Sequence, residues 1–321
     1  MRNFILANLF FISYISVVHA YEGTPESKKC FAFDVGYSGL WRSPLKNMDF
    51  LSQYQIVADK FQINSLIQKI PFSYVSGVRG MLEWMNGPKN SFEAVYTGLF
   101  NWRQSGSVTD PTELLFVSTA PYTNVNWTDF YYFDYHYKSE LNSGELSYWR
   151  HVTPRYVDYF SFSWMLGLRY IDFRDSMHMK IGTGSVGDTG YVKLANQMGG
   201  GQGGFEFQAN ATSRFTWAIQ VKGGAYANFM TRKSVLGDLG DTVKAVDFKT
   251  GRVYSAFSIE LIPYIIYRLN PFYMKLSYDR VVLFNPGFAP LQMQPSKSMC
   301  EVYPHNYVNF QSVYASIGFY W

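Results

Sequence analysis

Past its first twenty residues, the chain has no apolar run long enough to cross a membrane as a helix. Such a helix needs roughly 18 consecutive apolar residues. The longest stretch, around Ile259 to Tyr267, is about half that and contains Pro263. Charge is also scarce: Asp, Glu, Lys and Arg make up 16% of 321 residues, against the ~25% usual for soluble domains. A net charge of +4 is too small to argue for a nucleic-acid partner. There are 2 cysteines, Cys30 and Cys300, too few for a disulfide scaffold. The histidines are few, and none has the i, i+4 spacing of a zinc hydrolase or sits beside a serine as His-x-Ser. No enzyme activity, metal or cofactor is expected from these features.

What is abundant is aromatic: 27 Phe, 26 Tyr and 8 Trp, or 19% of the chain. Hydrophobic residues reach 47%. Apolar content on that scale that never forms a continuous run must be spread by alternation. The N-terminus reads as a secretory leader, with Arg2, an apolar stretch from Phe4 to Val18, and small residues at Val18-His19-Ala20. Cleavage is expected after Ala20, leaving 21–321 as one domain.

Alternation is plainest at the C-terminus. Val313, Ala315, Ile317, Phe319 and Trp321 share one face, opposite Ser312, Tyr314, Ser316, Gly318 and Tyr320. Segment 31–42 sets Phe31, Phe33, Val35, Tyr37 and Trp41 against Asp34, Gly36, Ser38 and Arg42. Similar patterns occupy 158–171 and 213–229. Period two gives about twelve segments: 31–42, 72–86, 90–103, 126–138, 141–151, 158–171, 176–183, 191–209, 213–229, 251–268, 271–284 and 307–321. Short connections alternate with long ones, beginning and ending with a long one. The pattern predicts an all-β, closed antiparallel transmembrane barrel of about twelve strands, with short periplasmic turns and long extracellular loops. Its place is the outer membrane of a Gram-negative-type bacterium. Segment 43–71 departs from period two: Leu51, Tyr54, Val57 and Phe61 recur at helical spacing, which predicts a helical loop or a pore constriction. Pro263 predicts a bulge, or an early end, in its strand. Trp41, Trp84, Trp102, Trp127, Trp149 and Trp321 lie near predicted strand ends, where headgroups stabilise them. Gly199 to Gly204 predicts a barrel kink. Cys30 and Cys300 fall at opposite ends of the barrel, so no bond between them is expected.

Several stretches resemble a known family in their order: GVRGMLEWM (77–85), SFEAVYTGLF (91–100), ELSYWRH (145–151), WMLGLRYI (164–171), MGGGQGGFEFQA (198–209) and LSYDRVVLFNPGFAPLQMQ (276–294). This set is similar to the outer-membrane β-barrel porin family known mainly from planctomycetes, over roughly 72–294. The N-terminal third and the loop lengths depart from it. The resemblance implies a porin fold. The terminal aromatics also resemble the signal read by outer-membrane assembly machinery, which would make Phe319 and Trp321 that signal.

If the apolar faces meet lipid, the opposite faces line the lumen. They would carry Asp34, Arg79, Glu83, Glu93, Asp134, Lys138, Arg169, Glu206, Arg214, Lys222, Glu260, Lys275 and Asp279. Bases and acids nearly balance in that set, so weak ion selectivity is expected. His136 would also face the lumen. The function so read is passive diffusion of small hydrophilic solutes. The alternatives are a non-conducting structural or adhesive barrel and a secreted soluble β-protein. Expected partners are outer-membrane lipid, the assembly machinery, small hydrophilic solutes and a second copy of the chain.

Overall fold

The computed structural model describes residues 30–46, 52–57, 60–65, 69–87, 89–109, 115–116, 128–152, 160–183, 186–212, 214–238, 244–269, 271–293 and 304–321. The leader 1–20, Trp127 and Cys300 lie outside them, and with them the expectations on cleavage and cysteine pairing.

Ten antiparallel strands close into one barrel. They are β1 (Cys30–Arg42), β2 (Val75–Met85), β3 (Asn90–Thr109), β4 (Tyr132–His151), β5 (Phe160–Thr183), β6 (Val186–Asn210), β7 (Phe215–Asp238), β8 (Lys244–Arg268), β9 (Phe272–Phe284) and β10 (Tyr307–Tyr320). Each pairs with its neighbour in the chain, and β1 meets β10 in a register from Ala32↔Tyr320 to Arg42↔Phe310. Trp321 and Phe31 exchange both backbone hydrogen bonds at the lower end of this seam, at 2.9 and 3.0 Å.

Outward positions carry Phe33 and Val35 on β1, Phe162, Leu166 and Leu168 on β5, Trp217 and Val221 on β7, and Ile317 on β10, all exposed. A soluble sandwich would bury these side chains between its sheets. Here they form the lipid-facing belt of a closed cylinder, the architecture of an outer-membrane barrel.

An aromatic girdle rings the short-turn end. Phe272, Phe319, Trp321, Phe31, Trp84, Phe92, Tyr148 and Trp164 follow one another across seven strands, with successive centroids 4.9 to 6.5 Å apart. Such rings suit the boundary where one edge is apolar and the other wet. Trp164, which is not in the set predicted near strand ends, belongs to it. Trp102 and Trp149, assigned there by sequence, point into the barrel and are buried.

The expected twelve strands become ten because two pairs of predicted segments are single strands. Segments 126–138 and 141–151 fuse in β4, and 158–171 and 176–183 fuse in β5. The polar cluster that read as a turn in each marks a change of face. Below Tyr170, β5 presents Phe162, Leu166 and Leu168 outward. Above it, Arg174, His178 and Lys180 face outward while Phe173, Met177, Met179 and Ile181 are buried inside. With 24 residues, β5 rises about 60 Å at a ~40° tilt, against a ~25 Å apolar band. The strands therefore continue past the membrane, with water outside and a hydrophobic core inside.

Other expectations also change. β5 and β6 join at the long-loop end through residues 184–185 alone, whereas 152–159 connects β4 to β5 at the short-turn end. Loop lengths thus do not sort without exception, although both barrel termini share one end. Within 43–71 the described backbone is β, not helix: Ser52–Val57 pairs with Lys60–Ser65, and Leu45–Lys46 with Lys69–Ile70. Pro263 neither bulges nor ends β8. It pairs with Ile219 on β7, and the ladder to β9 skips from Leu261↔Arg280 to Tyr264↔Ser277, so the missing N–H falls where no bond is made. Across Gly199 to Gly204 the pairing to both neighbouring strands is unbroken, and a Cβ at Gly200 would overlap the Ala225 carbonyl on β7.

The seam and girdle predict the cost of Trp321→Ala. Two ring contacts vanish, so urea unfolding in lipid vesicles should show a loss of about 1–3 kcal/mol. An unchanged midpoint would contradict a stabilising girdle.

Candidate functional site

The interior has two storeys. In the lower one, within the lipid belt, charged side chains converge. Arg169 on β5 pairs with Glu260 on β8 and lies 3.5 Å from Glu145 on β4. Lys222 on β7 reaches Glu145 at 3.0 Å, and Gln202 donates to the same carboxylate at 3.0 Å. Arg79 on β2 meets Asp279 on β9 at 2.8 Å, while Ser277 donates to Asp279 at 2.7 Å. Asp34 accepts from Tyr314 and Tyr273, and Glu206 from Tyr264 and Gln208. Lys275 stands over the Tyr264 ring, 4.3 Å from its centroid. Arg169–Glu260 and Arg79–Asp279 span non-adjacent strands, so they brace the lumen across its width. Between them lies a cavity of about 70 Å³.

Of the residues expected to line the lumen, Asp34, Arg79, Glu83, Arg169, Glu206, Lys222, Glu260, Lys275 and Asp279 do so. Glu93 joins them, sharing its parity with buried Ser91 and Val95. Three do not. Asp134 and Lys138 share the parity of exposed His136 and Leu146, on the outer face of β4. The odd-numbered residues of that strand are the inward ones, which a broken reading of β4 conceals. Arg214 is exposed in the turn before β7.

The sequence reading missed Glu145, which one unbroken strand through 132–151 would have placed inside with Ser143 and Ser147. With that exchange the described lining is acidic. In the lower storey Asp34, Glu83, Glu93, Glu145, Glu206, Glu260 and Asp279 outnumber Arg79, Arg169, Lys222, Arg268 and Lys275, while Arg42 and Arg232 are buried with Asp175 in the upper one.

The upper storey is apolar. Phe100, Trp102, Phe133, Phe173, Leu194, Met198, Met230 and Phe310 form part of one buried cluster, joined by Phe288 and Ala289. Those last two are not wall residues. The chain leaving β9 turns at Asn285, whose φ of 59° is left-handed, and folds over the rim into the lumen. Asn196 grips it through both amide atoms: its Oδ1 accepts from the Gly287 N–H at 2.6 Å and its Nδ2 donates to the Gly287 carbonyl at 3.0 Å. Asn228 donates to the Asn285 carbonyl at 3.3 Å. The Phe288 ring packs edge-on against Phe173 at 5.7 Å and lies 4.7 Å from the Arg42 guanidinium. Arg42 is itself buried and donates to Tyr137 and Ser139 at 2.9 and 2.7 Å, with Asp175 at 3.4 Å. Residues 286–290 thus cork the upper lumen.

Histidine also meets serine, which sequence spacing did not reveal. His151 Nε2 lies 3.2 Å from Ser91 Oγ, and its Nδ1 lies 2.8 Å from Ser163 Oγ. Ser91 is fully buried and donates its proton to Glu83 at 2.6 Å. That geometry makes a polar brace; a nucleophile would need its hydroxyl hydrogen-bonded to the base and open to substrate.

Because Arg169 holds two buried carboxylates, Arg169→Met should cost about 3–5 kcal/mol in urea unfolding, with much of the loss recovered by adding Glu260→Gln. A neutral single substitution would contradict the bracing role.

No protein-family model matches the chain, and no curated protein sequence matches it. Among solved structures, the outer-membrane protease OmpT of Escherichia coli is 9% identical, covering 94% of this chain and 99% of that one, with a TM-score of 0.41. The outer-membrane protein OprG of Pseudomonas aeruginosa is 11% identical, covering 92% and 97%, at 0.28. The toluene transporter TbuX of Ralstonia pickettii is 12% identical, covering 90% and 88%, at 0.36. These scores carry no argument about function.

Proposed function

We propose that the chain is an outer-membrane channel for small hydrophilic solutes, gated by its own segment 286–290 and closed in the conformation described. The observation that carries this reading is the origin of the obstruction. The wall side chains of the upper lumen close around a loop folded in from the rim, which seats Phe288 and Ala289 among them and is held by the side chains of Asn196 and Asn228.

The lower storey supports the same reading. Carboxylates in a sealed, low-dielectric interior are costly unless paired, and here they exceed the cations present. Water and mobile cations reaching the lumen would offset that excess. Preference for cations, in place of the near-neutral selectivity expected from sequence, belongs to the proposal. So does kinship with the planctomycete-type porins, which rests on the ordered motifs alone. The absence of enzymatic activity, read from histidine spacing, and the role of Phe319 and Trp321 as assembly signal, read from the terminal aromatics, are also part of the proposal.

A non-conducting barrel is the second reading. It is favoured by the ties Arg169–Glu260 and Arg79–Asp279, which cross the lumen. Planar-bilayer recording separates the two. Wild-type protein should be mostly silent. Replacing 286–292 by a short Gly-Ser linker should give steady current steps whose reversal potential in a KCl gradient marks cation preference. Silence from inserted, corkless protein would establish the second reading, and anion preference would contradict the acidic path.

A further inference from the structure

Sheet faces that stand in water usually mix charges, because like charges directly opposite one another weaken strand pairing. On the outer face of β3, β4 and β5, two successive rows do the reverse. Arg103 is directly opposite Lys138, and two residues further out His136 is directly opposite His178. Ser105 and Ser176 extend these rows on either side. The side chains border an outward-opening concavity of about 510 Å³, and no acidic side chain among the described residues lines it. Glu140 pairs with Lys138 from the membrane side, and Asp134 stands opposite Lys180 on the far side. Among the described residues Arg103 makes no ion pair. A divalent metal between the two histidines would sit against Arg103 and Lys138, so the chemistry of the concavity selects an anion.

Its height relative to the belt narrows the source of that anion. Arg103 lies four residues beyond exposed Leu99, and Lys138 six beyond Gly144, which is directly opposite exposed Tyr170. With tilted strands that is a rise of about 10 to 15 Å above the belt. The headgroup layer is roughly 5–8 Å deep, and long basic side chains reach back toward it along their stems.

We infer that this concavity binds the phosphate of a lipid headgroup in the leaflet at the long-loop end. The guanidinium of Arg103 and the ammonium of Lys138 offer charge-assisted donors to phosphate oxygens. The two histidines and two serines complete a polar wall. Free phosphate offers the same oxygens, but a lipid is also held by its acyl chains along Leu99, Leu146 and Leu168 below.

Native mass spectrometry of the folded, full-length protein tests this with bisphosphorylated lipid A, its dephosphorylated counterpart and inorganic phosphate as separate probes. Lipid A should bind. Arg103→Gln with Lys138→Gln should weaken it about thirtyfold, the effect of two surface cations beside an anionic leaflet. Heat-modifiable gel migration establishes that the variant is folded. If it is not, His136→Asn with His178→Asn replaces it and should also weaken binding. Equal affinity of variant and wild type, or equal binding of the dephosphorylated lipid, would overturn the inference. Displacement of lipid A by equimolar inorganic phosphate would assign the concavity to a soluble anion and overturn its lipid identity.

Discussion

Everything in this fold follows from the cost of an unpaired backbone group in hydrocarbon. Each N–H and C=O at that depth costs several kcal/mol without a partner, and no water is there to supply one. A sheet meets this demand only by having no edge. The β1–β10 seam, fastened at its lower end by Trp321 and Phe31, is therefore what makes the other strand pairings tenable. Once the cylinder is closed, alternation of side chains leaves two surfaces, and the solvent on each dictates its chemistry.

That solvent changes along the strand. Below Tyr170 the outside is lipid, so apolar residues face outward and the interior collects charges. Above it the outside is water, and the same alternation is worn inside out. The upper interior then behaves as a soluble protein core, with Phe173, Met198 and Phe310 packed against one another. A core of that kind can seat an apolar loop, and Phe288 takes that place.

The belt and the closure were legible in the sequence, because a period of two needs no knowledge of partners. The faces of Phe162, Trp217 and Ile317 were read correctly for that reason. The strand count was not legible, because the inversion at 138–141 and 172–175 looks like a turn when polarity is read without regard to depth. That error carried into the lumen: splitting β4 turned Asp134 and Lys138 inward and left Glu145 unassigned. Pairings such as Arg169 with Glu260, 91 residues apart, depend on closure geometry and have no local signal. The cork was invisible for the same reason, since its seat is built by Asn196 and Asn228 on other strands.

The inside-out strand is the claim most directly open to measurement. Single cysteines placed along β5 from Phe162 to Lys180, in a background lacking Cys30 and Cys300, can be spin-labelled in vesicles and read for lipid or water contact. Labels at 162, 166, 168 and 170 should contact lipid, and labels at 174, 178 and 180 should contact water. Lipid contact continuing through 174 and 178, or water contact at 166 and 168, would contradict the account.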